Sequence, residues 1–340
     1  MKLKNIDIQN FRGFKKLEIQ DFQKINLLVG KNNSGKSSVL EAIFLSCGIS
    51  NPQLAINIDF FRGLIHRYTD DFRFIFYKLD YNNEPCIKTS FDSDEYKREL
   101  HIKPSKEILL RESAKQTESR IGNITTDTDN NSQQVNGLIF RFSTKGKHEQ
   151  KKDFQSSIII NGGNVLEIPK NYKELLRASF FLRKYGELDS TYQYLDQVIS
   201  AKEKGNIIEI LQEIDANITD LSLGAHNVIY CDIGLERLVP INLMGDGINQ
   251  ILGILVHIAN LKDGILLIDE IDNGLHYTTL KTLWKAILHA SEKYKTQIFA
   301  TTHSDECVSA YSQAYKEFYD SQVNLRLFRI EKKGQEDIKL

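Results

Sequence analysis

The sequence predicts an α/β fold, and three observations carry that reading. A continuously apolar stretch, "KINLLV", runs straight into a glycine-rich loop and then into an amphipathic helix. In the last third of the chain, apolar strands alternate with helices of 3.6-residue period, the pattern of a sheet built by crossover connections. Composition agrees: 340 residues, 41% hydrophobic and 26% charged, are enough for a sizeable core.

At the beginning, "LKNIDIQNF" and "KKLEIQDF" alternate polar and apolar residues, as antiparallel strands with one wet face do. "KINLLVG" does not alternate, which suits a strand buried on both faces. Val39, Leu40, Ile43 and Phe44 then share a helical face, with Gly48 as the stop. From residue 51 to 180 the periodicity breaks up into a variable β-rich insertion. "FRFIFYKLDY" and "GLIFRFSTKGKHEQKKDFQSSIIING" read as strands, and residues 112–137 read as a mobile polar loop. Two amphipathic helices follow over 181–218, with Leu195, Val198 and Ile199 on one face and Ile207, Ile208, Leu211 and Ile214 on the next, divided at Gly205. The final segment holds a helix after Gly247, the strand "GILLIDE", a helix presenting Leu280, Leu283, Trp284, Ile287 and Leu288, the strand "TQIFATTHS", and a terminal hairpin turning at Lys333–Gly334. There is no sustained heptad and no internal repeat.

The formal charge of −1 gives no global attraction to nucleic acid, although a local patch is compatible with it. The four cysteines are scattered, as expected of reduced thiols in a cytoplasmic protein. No uninterrupted apolar stretch reaches the ~18 residues that a membrane helix needs.

"GKNNSGKS", Gly30 to Ser37, fits GxxxxGK[ST] between a buried strand and a helix, the context a phosphate-binding loop requires. Its glycines let backbone N–H groups close on phosphate oxygens at a helix N-terminus. Gly30, Asn32, Asn33, Ser34, Gly35, Lys36, Ser37 and Ser38 are the candidate nucleotide residues. Lys36 would reach the β/γ-phosphates and Ser37 would ligate Mg²⁺. "ILLIDE" is a buried strand ending in two carboxylates, which places both at the sheet edge where α/β ligands bind. Asp269 is the second candidate metal ligand, and Glu270 the candidate base that orients or deprotonates water. "ATTHS" ends another apolar strand in His303, a candidate γ-phosphate sensor, with Thr301, Thr302 and Ser304 read as local capping groups. "KGKHEQKK" reads as a solvated hairpin tip, and the DxD spacings in "FDSDEY" and "TDTDNN" lack the flanking strand of a nuclease site.

The order strand–"NFRGF"–strand–"GKNNSGKSS"–insertion–"MGDG"–"LLIDEIDNGLH"–"ATTHS" resembles the ABC-type ATPases of the SMC/RecF/OLD group, and most of all the OLD-like (overcoming lysogenization defect) branch of bacterial anti-phage systems. The resemblance covers both ends of the chain and implies an ABC-type P-loop ATPase head, residues 1–50 and 219–340, with an antiparallel β flank and a helical lid over 181–218. It implies ATP and Mg²⁺ as cofactors, and an ATP-dependent homodimer. Gly245, Asp246 and Gly247 would be the signature turn offered to nucleotide bound by the opposite subunit. A glycine-headed helix has free N–H donors for an anion, but Asp246 must then cap its own helix or meet a cation. Arg12 matches an arginine that lies near the nucleotide, and Asp272 and His276 are candidate interface residues. Gln193 and Gln197 are both open as the metal-contacting glutamine. No segment here matches the Toprim nuclease of larger OLD proteins, so the expected partner is a separate effector.

Overall fold

The computed structural model describes residues 1–63, 71–92, 96–105, 135–160, 164–181, 187–317, 324–333 and 337–339. The strands are β1 (Leu3–Phe11), β2 (Phe14–Ile19), β3 (Ile25–Val29), β4 (Cys86–Phe91), β5 (Lys97–Ser105), β6 (Gly137–Lys145), β7 (Lys152–Ile160), β8 (Asn164–Glu167), β9 (Ala178–Phe181), β10 (Asp220–Leu223), β11 (Ile229–Asp232), β12 (Val239–Pro240), β13 (Ile265–Ile268), β14 (Gln297–Thr302), β15 (Leu325–Arg329), β16 (Glu331–Lys333) and β17 (Asp337–Lys339). The helices are α1 (Lys36–Cys47), α2 (Gln53–Phe61), α3 (Glu187–Ser200), α4 (Lys204–Gln212), α5 (Asp246–Asn260), α6 (Tyr277–Tyr294) and α7 (Asp305–Glu317).

Five strands form an all-parallel sheet in the order β15-β3-β14-β13-β9. Its apolar residues feed two cores, as a sheet covered on both faces requires. Leu266 and Ile268 point into the core shared with α3–α7, whereas Ile265 and Leu267 point to the side of α1 and the antiparallel sheet. That second sheet runs β2-β1-β4-β5-β6-β7-β8. Its strands from 86–167 thus continue the sheet that β1 and β2 begin. The sequence does not announce this, because strand partnership is a long-range choice that local alternation leaves open.

Buried polar groups tie the layers together. Gln297, fully buried at the start of β14, donates to the carbonyls of Leu3 and Gln23 and accepts from the Leu3 N–H. Arg98 of β5, 2% exposed, donates to the Ser46 and Cys47 carbonyls at the C-terminus of α1 and pairs with Glu174 at 2.6 Å. A cation there satisfies orphan carbonyls and the negative end of the helix dipole.

Local expectations fail where a short stretch serves two periodicities. "FRFIFYKLDY" forms 3-10 turns at Phe72–Ile75 and Tyr77–Leu79 rather than a strand. Phe72, Ile75 and Phe76 are its buried residues, a helical spacing, and the Asp71 carboxylate caps the Arg73 N–H. The break between α3 and α4 comes at Lys202, in the left-handed region at φ 62°, while Gly205 sits inside the first turn of α4. β9 and the three-stranded sheet β10-β11-β12 carry no pattern strong enough to read from sequence, since each strand spans at most four residues. Within 112–137, residues 135–137 are described, with Val135 buried and Gly137 beginning β6, and 112–134 lie outside the described residues. Gly334 also lies outside them, between the paired strands β16 and β17.

His257 of α5 is wedged between Phe181 and Tyr194 with its Nδ1 donating to the Gly253 carbonyl at 2.7 Å. Burial pushes its pKa down to about 4. The unfolded chain therefore takes up a proton that the folded chain refuses, and stability should fall as pH drops from about 6.5 to about 4. The contribution is about 3 kcal/mol at full loss. His257→Met should flatten that part of the urea-midpoint profile, and an unchanged slope would show that His257 does not cause it.

Candidate nucleotide site

β3, β14 and β13 are adjacent and parallel, so their C-terminal ends bring three sequence-distant segments to one edge. β3 delivers the Gly30–Ser37 loop, β13 delivers Asp269 and Glu270, and β14 delivers His303. Ligands bind at this edge of parallel sheets because helix N-termini and loop N–H groups converge there.

The loop has the backbone that its glycines allow. Gly35, at φ 99°, heads α1, and a Cβ there would come within 2.6 Å of the Phe14 ring. A Cβ on Gly30 would collide with the Ile330 carbonyl oxygen. Asn33 takes the left-handed region at φ 61°, which asparagine tolerates. Asn32 and Asn33 are exposed, and Ser34 and Ser38 are buried. Lys36 folds back into the loop it heads, and its Nζ donates to the Gly30 and Lys31 carbonyls at 2.8 and 3.0 Å. Burial lowers the Lys36 pKa below the usual lysine range, against the pull of Asp269, Glu270 and Asp272.

Ser37 and Asp269 meet: the Ser37 hydroxyl donates to Asp269 Oδ1 at 3.0 Å. Two oxygen donors so placed, a hydroxyl and a carboxylate, suit a hard divalent cation. Asp269 Oδ1 also accepts from the Thr301 hydroxyl at 2.6 Å, and that hydroxyl in turn accepts from the Glu270 N–H at 2.8 Å. Thr301 thereby orients both acids. Glu270 is held at φ 49°, a conformation costly for a residue with a Cβ, while its Oε2 accepts from Asn273 at 3.4 Å. Thr302 bonds Asp272 Oδ1 at 2.6 Å, anchoring the next loop within its own chain. These threonines do more than cap locally, because they sit on the strand between the two acidic and phosphate-loop strands. His303, just beyond, is exposed at the same edge.

Arg12, at the turn between β1 and β2, pairs with Glu41 of α1 at 2.5 Å and with Asp59 of α2 at 2.8 Å. It therefore braces the helix behind the phosphate loop. Arg62 shares Glu41 at 2.5 Å and donates to the Ser38 hydroxyl at 3.3 Å.

The turn Gly245–Gly247 begins α5, with Gly245 at φ 99° and Asp246 in the first turn. A Cβ on Gly247 would lie 3.2 Å from Thr279 Cγ2, so the turn abuts the start of α6. His276 occupies the N-cap position of α6 with its ring beside the Thr278 hydroxyl and is exposed, as is Tyr277. Gln193 and Gln197 are both exposed on α3. A different glutamine joins the parts: Gln250, 4% exposed on α5, donates to the Ile271 carbonyl at 2.9 Å. It links the turn's helix to the loop after Glu270. Its only trace in the sequence is a polar residue on an apolar helical face.

A family model described as "AAA domain, putative AbiEii toxin, Type IV TA system" matches residues 25–309. The chain belongs to that family. The match spans the phosphate loop, both acids and His303. Among curated proteins, the chain is 25% identical to an "ATP/GTP phosphatase" of Helicobacter pylori, covering 93% of this chain and 89% of that protein. It is 49% identical over 45 residues to the DNA replication and repair protein RecF of Clostridioides difficile, which is 13% of this chain and 12% of that one. Among solved structures, an Smc head bound to the C-winged helix domain of ScpA superposes with a TM-score of 0.51 at 14% identity, covering 99% of this chain and 96% of that one. The fold is accordingly that of an ABC-type P-loop ATPase head, an α/β architecture with an antiparallel flank. Among the described residues, no helix is long and apolar enough to cross a membrane.

Proposed function

We propose that the protein is an OLD-like, Mg²⁺-dependent ATPase that closes as a homodimer around ATP and uses that switch to regulate a separate effector, a nuclease or toxin, in anti-phage defence. The observation that carries the reading is the Ser37–Asp269 contact, which brings the phosphate loop and the acidic strand into one site beside Glu270. Ser37 and Asp269 would hold the ion, which supplies charge neutralisation at the phosphates. Lys36 binds the β- and γ-phosphates, Glu270 takes the proton of the attacking water, and His303 donates to the γ-phosphate.

The turn Gly245–Gly247 supports the two-chain arrangement. Its helix N-terminus is exposed, with Leu243 at 77% and Tyr277 at 65% exposure nearby in the chain and on the abutting helix. Apolar side chains so placed around an anion-binding helix end suit a partner surface. Gly247→Arg should abolish ATP-driven dimerisation in light scattering while ATP affinity stays within threefold. A dimer that survives would remove the signature role. Closed and open dimers that bind the effector differently make such a switch possible.

Thr301→Val tests the positioning of the two acids. Loss of a hydrogen bond to a charged group is worth about 1.5–3 kcal/mol, so phosphate release should fall about 10- to 100-fold with ATP affinity nearly unchanged. Thr301→Ser should restore most of the rate; a full rate in the valine variant would assign Thr301 to structure alone.

The second reading, a RecF-like ATPase acting directly on DNA, is favoured by the 49% identity to RecF over 45 residues. Duplex affinity that tightens with ATP and weakens with salt would select it. A protein co-purifying from the native host in an ATP-dependent way, without DNA affinity, would select the effector switch.

A further inference from the structure

The polar face of the antiparallel sheet carries a second constellation, remote in sequence from every nucleotide motif. Cys86 on β4 stands directly across from His101 on β5, and Glu99 lies two residues before His101, hence on the same face. Cys86 Sγ is 3.8 Å from His101 Nε2, which is 3.2 Å from Glu99 Oε1. The three donor atoms all lie within 4.8 Å of one another. Bonds of about 2.0–2.3 Å arranged tetrahedrally put neighbouring donors roughly 3.4–3.6 Å apart. Two of the observed spacings straddle that value and the third is at most 4.8 Å, so an ion enters with side-chain shifts of up to about an ångström.

We propose that Cys86, Glu99 and His101 form a zinc site on the sheet face. Sulfur, imidazole and carboxylate together select a borderline-soft ion; Mg²⁺ and Ca²⁺ prefer all-oxygen shells. On binding, the thiol proton passes to solvent and sulfur coordinates as thiolate. Three protein ligands leave one tetrahedral position open, and Glu99 and His101 also line a groove of about 400 Å³ together with Arg141, Ser143, Lys151 and Gln155. Glu99 already meets Lys88 at 3.1 Å and Lys151 at 3.3 Å. Both lysines are half-exposed, where ion pairs are weak, so the ion displaces them at small cost. Lys88 retains an acidic neighbour when displaced, because Asp7 of β1 is its cross-strand partner. All four cysteines are buried, but Cys47, Cys231 and Cys307 lie within the two apolar cores while Cys86 lies outside them against His101 and Glu99, so a thiolate signal reports Cys86.

Co²⁺ titration of the intact, tag-free chain in excess Mg²⁺ tests the site. The expected result is one Co²⁺ per chain with a thiolate-to-cobalt charge-transfer band that Zn²⁺ abolishes. Cys86→Ser should lose the band, and His101→Gln should keep it while weakening binding at least tenfold, with circular dichroism matched to wild type. A wild-type chain with no band overturns the proposal whatever the variants do. So does a band undiminished in Cys86→Ser.

Discussion

Glu270→Gln lowers phosphate release by at least about 100-fold and leaves ATP binding intact: this is the result expected if Glu270 is the general base, since a positioned base contributes about 10²–10⁴. Glutamine keeps the shape of the side chain and its bond to Asn273 but cannot take a proton. The backbone N–H of Glu270 stays on the Thr301 hydroxyl, so the strand end and Asp269 are undisturbed. The variant should accumulate the ATP-bound dimer, visible by light scattering. A wild-type rate no higher than the variant's would sink hydrolysis and leave a nucleotide-locked scaffold.

Lys36→Ala should weaken ATP binding by at least about 100-fold in calorimetry, because two or more charge-assisted hydrogen bonds at about 1.5–3 kcal/mol each are lost with the ammonium. The same ammonium satisfies the Gly30 and Lys31 carbonyls, so it is held at the loop. Its lowered pKa adds a pH signature. ATP affinity should decline on the alkaline side earlier than an ordinary lysine would dictate, as the charged form is lost. Affinity within threefold of wild type would show that this loop is not the phosphate site.

The phosphate loop was legible because its demands are local: glycines at φ 153° and 99°, a lysine and a serine, a buried strand before and a helix after. The acids of β13 and His303 of β14 were legible for a related reason, each polar group ending an apolar strand. The role of Thr301 is not legible in sequence because it lies in its partners, Asp269 and Glu270, and strand order alone sets those. The motif resemblance points Arg12 toward nucleotide, and its immediate partners are Glu41 and Asp59 on two helices that no motif marks. Strand β9, four residues long, carries too little pattern to be seen, although it completes the parallel sheet beside β13.

By itself, then, the sequence determined the residue types that phosphate chemistry needs and the strand or helix that presents each, because backbone geometry and periodicity act within a few residues. Only the tertiary structure decided which strands are neighbours. It set β14 between β3 and β13, joined Ser37 to Asp269 through a 3.0 Å bond, and brought Cys86 opposite His101. Those outcomes depend on pairing register and on burial of both sheet faces, which are satisfied by the whole chain at once and are written in no single segment.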